Sequence, residues 1–129
     1  MMLLNIDYFK DLCIETYEEL IFVMKNEVFQ SGQSIFVQNK YYNKVYILIS
    51  GEMQMFFTLK GKEPIKVDTC STRGQVFNQI SCLTMDKIIY SAKAESSVTM
   101  ITIGLSDLQE IMLRRKDLKK RIDYIVNMH

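Results

Sequence analysis

The stretch "SGQSIFVQNKYYNKVYILISGEMQMF", residues 31–56, decides how the chain is read. It holds two short runs rich in β-branched and aromatic residues, "SIFVQ" and "KVYILIS", and opens a third, "MQMFFTL". A turn signal precedes each run: "SGQ" at 31–33, "NKYYN" at 39–43, "SGE" at 50–52. Glycine at such a turn adopts positive φ at little cost, so Gly32 and Gly51 read as reversals between strands. The pattern continues downstream. "KGKEP" (60–64) and "TRGQ" (72–75) punctuate the further runs "IKVDT", "IIYSAKAE" and "VTMITIG". A strand signal every ~10 residues is the spacing of an all-β sandwich, jelly roll or barrel. About eight short strands are expected between Val28 and Gly104.

Both flanks read as helix. Over residues 6–25, Leu12, Tyr17, Leu20, Ile21 and Met24 recur on one side, with Glu15, Glu18, Glu19 and Lys25 on the other. Thr16, with Glu19 three residues on, reads as a cap for a second helix starting there. After the strands, Ser106 and Gln109 form a capping-box pattern, and Leu108, Ile111 and Met112 supply an apolar face. A last helix near 117–128 places Leu118, Ile122, Ile125 and Val126 together. The expectation is one α+β domain over 1–129: N-terminal helices to residue 27, a β-roll over 28–104, and two C-terminal helices over 105–129. The chain is expected to be a piece of a longer protein.

Composition narrows the function. Hydrophobic residues make up 48% of 129 residues, enough for a core without staples. A net charge of +1 gives no field that would gather nucleic acid, and no helix-turn-helix follows the strands to read bases. Cys13, Cys70 and Cys82 are an odd number without C-x-x-C spacing, so reduced structural thiols are expected. No apolar run approaches the ~18 residues of a membrane span. The single histidine, His129, excludes a histidine-ligated metal centre and a histidine base for Ser or Cys, and no P-loop or dinucleotide fingerprint occurs. No enzyme, metal or cofactor is expected. The methionines Met53, Met55, Met85, Met100 and Met112 fall in apolar patterns and read as core. Tyr41 and Tyr42 read as exposed turn residues. The basic run Arg114 to Arg121 reads as a solvated helix face, with an acidic partner as its functional alternative.

The ordered turns, the "YILISG" strand and the segment "GQVF" leading into "FNQISCLTMDKIIYSAKA" (77–94) together resemble the cyclic-nucleotide-binding domain family. The resemblance covers nearly the whole chain. It implies an eight-stranded β-roll, jelly-roll-like and built as a double-stranded β-helix, with residues 77–94 as the phosphate-binding cassette. It implies cAMP or cGMP as ligand, held around Phe77, Asn78, Gln79, Ile80, Ile88 and Ile89. The family places glycine and glutamate after the phenylalanine, then an arginine and a small hydroxyl residue. This chain has Asn78, Gln79, Ile88 and Ile89 there.

Those four departures remove the phosphate's counter-charge and the charge-assisted ribose bond. The loss is ~4–6 kcal/mol, or ~10³–10⁴-fold in affinity. Lys87 is too flexible a point charge to replace a planar guanidinium fork. The stretch before the roll and the cassette resemble those of voltage-gated and cyclic-nucleotide-gated cation channels. The expected function is thus a regulatory domain on the cytoplasmic side of a membrane channel, a potassium channel among such parents, with weak or no nucleotide binding. Its partners would be other domains or subunits of the parent channel. Two alternatives stay open: a working sensor of the kinase-regulatory type, and a ligand-free interaction module. If the cassette is degenerate, Ile122, Ile125 or Val126 of the last helix would fill the purine's space as a lid.

Overall fold

The computed structural model describes residues 9–128. Residues 6–8 of the expected first helix and His129 lie outside them. A turn at Phe9–Asp11 leads into α1 (Ile14–Val23), followed by β1 (Lys25–Phe29), β2 (Ser34–Phe36), β3 (Lys44–Ser50), β4 (Met53–Phe57) and β5 (Ile65–Cys70). Then come β6 (Val76–Phe77), α2 (Gln79–Leu83), β7 (Ser91–Ala94), β8 (Val98–Gly104), α3 (Leu105–Arg114) and α4 (Lys116–Asn127). The strands form two four-stranded antiparallel sheets, ordered β1-β8-β3-β6 and β2-β7-β4-β5. This is the expected α+β architecture, an eight-stranded roll with helices at its ends.

Two apolar clusters explain the layering. β3 is buried on both faces, which is why "KVYILIS" reads as a continuous apolar run. Its side chains alternate. Tyr46 and Leu48 enter the roll interior with Phe36, Met53, Phe77, Ile88 and Met100. Val45 and Ile47 face the helices, joining Tyr17, Leu20, Leu108, Leu118 and Ile122. β8 does the same, with Val98 and Met100 inward and Ile103 toward the helices. Inside the roll, Phe36 meets Tyr42, Tyr46 and Tyr90 edge-on at 5.3, 4.9 and 5.9 Å.

Several local expectations are corrected. "KNEVF" is strand β1, paired with β8 from Lys25↔Thr102 to Phe29↔Val98, so the first helix ends at Val23 and the roll begins before residue 28. Thr16 caps no second helix. It is buried inside α1, and its hydroxyl donates to the Asp117 carboxylate at 2.8 Å. Ser106 is not the cap of α3, because Gly104 holds that position and no side chain caps the helix. Met85 is exposed rather than core, at φ 59°. Tyr42 is half-buried against Phe36, its hydroxyl oxygen accepting from the Val37 N–H at 2.8 Å, while Tyr41 is exposed.

Polar contacts fasten α1 to the junction of α3 and α4. The Glu19 carboxylate takes Arg114 (2.7 Å) through one oxygen and Arg115 through the other. Asp117 accepts from the Cys13 N–H (2.9 Å) as well as from Thr16. The basic run is thereby partly neutralised, with Lys119 also paired to Asp123 at 2.7 Å.

Burial pushes the Asp117 carboxyl up, but hydrogen bonds from Cys13, Thr16 and Leu118 outweigh it and hold the pKa below the usual 3.8. A lowered carboxyl pKa stabilises the fold above the unfolded-state value, and that share is lost as pH falls through the folded value. Asp117→Asn is therefore expected to flatten the loss of stability below about pH 4, compared with the unaltered chain. Urea unfolding followed by circular dichroism at pH 3 and pH 7 checks this. Equal acid sensitivity of the two proteins would remove Asp117 from the account.

Candidate ligand cavity at the cassette

The cassette is built by a change of backbone hand. β6 ends at Phe77, and Asn78 then turns left-handed (φ 65°, ψ 14°) to start the one-turn helix α2. Asparagine is among the few non-glycine residues that adopt this region readily. Its side chain is what a glycine would lack. The Asn78 amide nitrogen donates to the carbonyl oxygens of Tyr42 (2.7 Å) and Lys44 (2.9 Å), tying the cassette to the start of β3. The Asn78 carbonyl accepts from the Cys82 N–H at 2.9 Å, which closes α2.

After α2 the chain is held from within. The Thr84 hydroxyl donates to the Ile80 carbonyl (2.8 Å), and the Asp86 N–H donates to the Ser81 carbonyl (2.8 Å). Ile88 then exchanges two 2.8 Å bonds with the preceding loop, donating to the Lys40 carbonyl and accepting from the Asn39 N–H. These bonds fix the far end of the cassette over the roll.

A cavity of about 330 Å³ lies against this segment. It is near the lower end of the ~300–1,000 Å³ common for small-molecule sites. All six residues singled out from sequence, Phe77, Asn78, Gln79, Ile80, Ile88 and Ile89, reach its wall. Ile88 is 1% exposed and Ile89 70%, so the first belongs to the roll interior and the second to the rim. Met55 and Asp68 come from the facing β4–β5 pair, where they lie opposite each other in register. Gln75, Val76, Ser81 and Tyr90 complete it. Sequence reasoning missed Asp68: it sits in "IKVDT" like any solvent-facing strand residue, and only the pairing with Met55 brings it to the cavity.

Among the described residues, the wall carries one charged side chain, the Asp68 carboxylate, and no lysine or arginine. Lys87 is exposed and does not line it. Burial pushes the Tyr90 phenol up and the Cys82 thiol up to about 11. It raises Cys70 as well, so both buried thiols stay protonated at neutral pH and are poor nucleophiles.

The proposed lid is located elsewhere. Ile122 is buried in the helix-side cluster with Tyr17 and Leu20, and Ile125 and Val126 pack on the same cluster. None of the three lines the cavity. Helical periodicity identifies the apolar face of α4 but not the surface it covers, which is the helix-side cluster that also holds Cys82 and Leu83 of α2. A second hollow, about 270 Å³, lies along the seam of Glu15, Glu19, Arg114 and Arg115. Among the described residues, no helix is long and apolar enough to cross a membrane.

A family model described as "Cyclic nucleotide-binding domain" matches residues 26–115. The potassium channel AKT2 of Oryza sativa subsp. japonica is 25% identical over 126 residues, covering 94% of this chain and 15% of that protein. The catabolite activator protein of Thermus thermophilus superposes with a TM-score of 0.79 at 18% identity, over 94% of this chain and 56% of its own. The regulatory domain of Toxoplasma gondii PKA with cAMP gives a TM-score of 0.81 at 13% identity, over 99% and 48%. The chain thus spans 15% of the curated relative and about half of each of these two structures.

Proposed function

The chain belongs to the cyclic nucleotide-binding domain family, and from that premise we propose that it is a non-catalytic regulatory domain whose cavity binds cAMP and cGMP weakly or not at all. The observation that carries the reading is the charge of the wall. A cyclic phosphate is an anion, and phosphate sites supply a guanidinium or equivalent counter-charge. Here the wall offers the carboxylate of Asp68 and the apolar side chain of Ile88. Both raise the cost of placing an anion there.

The parent we propose is a cation channel, with this domain on the cytoplasmic side and its contacts made to other domains or subunits of the channel. The similarity to a potassium channel supports that choice. In such an arrangement α3 and α4 pass a change of position to α1 through the Glu19 and Asp117 contacts. A ligand shifts that equilibrium only by its differential affinity for the two positions.

Calorimetric titration of the chain with cAMP and with cGMP tests the reading. No saturable heat is expected at micromolar ligand. Saturable low-micromolar binding of either nucleotide would overturn it and favour a working sensor of the kinase-regulatory type.

A further inference from the structure

The wall that repels an anion has a definite preference of its own. Asp68 forms no ion pair among the described residues. One of its oxygens accepts the Thr69 N–H at 2.8 Å, and the other has only the Cys70 thiol at 3.9 Å. An ionised carboxylate offers about four acceptor sites, so most of its capacity is open. Asn78 takes no part in this: its amide nitrogen is tied to the Tyr42 and Lys44 carbonyls, and its Oδ1 is buried out of reach of the cavity. Asn78 itself is 6% exposed. Met55, Ile88, Ile89 and Tyr90 give the remainder of the wall an apolar and aromatic surface.

One carboxylate without an ion pair, set beside an apolar floor, is complementary to one class of molecule. Building on the reading that this is not a phosphate site, we propose that the cavity takes a small organic cation, a primary ammonium on an aromatic or branched apolar body. The ammonium lies against Asp68, and the body lies on Met55, Ile88 and Tyr90. The thioether and the phenol ring also suit a cation or an aromatic ring at close range. About 330 Å³ admits a single ring with a short arm.

The test uses the whole chain, labelled with ¹⁵N, titrated at fixed ionic strength with three probes that share a 2-phenylethyl body: 2-phenylethylammonium, 2-phenylethanol and 3-phenylpropanoate. The ammonium is expected to give saturable amide shifts confined to residues 75–81 and 88–90 and to the neighbourhood of Asp68. It should bind about ten-fold or more tightly than the alcohol, with the carboxylate weakest. Asp68→Asn, on the exposed face of an edge strand, should keep the spectrum of the fold and erase the preference for ammonium over alcohol. Equal affinities for ammonium and alcohol, unchanged affinity in Asp68→Asn, or shifts scattered away from the cavity would each overturn the proposal. The same samples titrated with cAMP separate the two readings. cAMP shifts that saturate with a low-micromolar Kd sink the weak-nucleotide reading whatever the amine does. Silence from both ligands sinks only the cation site.

Discussion

Carrying Asn78→Gly, Gln79→Glu, Ile88→Arg and Ile89→Thr together, the chain is expected to bind cAMP about 10³-fold more tightly than the unaltered protein. The backbone frame for this is in place. Asn78 already holds the left-handed conformation that glycine would take. α2 follows it directly, and Ile88 is anchored at both backbone groups. What is missing is side-chain charge. An arginine at 88 supplies a planar fork for the phosphate, and a glutamate at 79 supplies a charged acceptor for the ribose. The substituted protein should also be less stable without ligand. Position 88 is nearly fully buried among Phe36, Tyr46 and Met100, so an unpaired guanidinium there costs several kcal/mol. Ligand that binds only the folded state returns part of that stability. Thermal unfolding with and without cAMP, alongside calorimetry, reads both effects. A folded variant with no gain in cAMP affinity would show that the frame cannot support phosphate.

A second large effect is expected at Gly51. It turns β3 into β4 at φ 97°, and a Cβ there would lie 2.2 Å from the Ser97 carbonyl oxygen and 2.8 Å from the Val98 Cα. Both are backbone atoms of the neighbouring turn, so no side chain can rotate away. Gly51→Ala is expected to cost about 3 kcal/mol or more, since strain and displacement of the β7–β8 turn add. Gly32 and Gly61 serve as controls. Each has positive φ, but a Cβ would meet nothing within 4 Å. Alanine at either should cost only the conformational strain, about 1 kcal/mol. Urea midpoints at an unchanged slope measure the contrast. Equal losses at the three glycines would mean that the close approach at Gly51 carries no weight.

Strands buried on both faces were the most legible part of the sequence. The runs 44–50 and 98–104 coincide with β3 and β8, because each continuous apolar run begins after polar turn residues and ends at or beside a glycine. β1 was not legible. Lys25, Asn26 and Glu27 are polar, and their strand identity comes from pairing with β8. The two-residue β6 carries no period at all. Both capping patterns misled for one reason: Ser or Thr three residues before Glu or Gln is common, while the residues at the helix starts are Cys13 and Gly104, neither with a side-chain cap bond. At the cavity, the cassette's own residues were readable from the family frame. Asp68 was not, since it reaches the wall through the register of β4 and β5.

The double attachment of Asn78 constrains the order in which this cassette can change. Replacing Asn78 by glycine first would strip the Tyr42 and Lys44 carbonyls of their donor while the cavity still lacked a cation, so the first step brings loss and no gain. Introducing arginine first would bury a charge beside an intact Asn78. Either single mutant is a valley, and binding returns only when several changes coexist. The two bonds of Asn78 therefore make the cassette's substitutions interdependent, the effect of each being set by which of the others is already present.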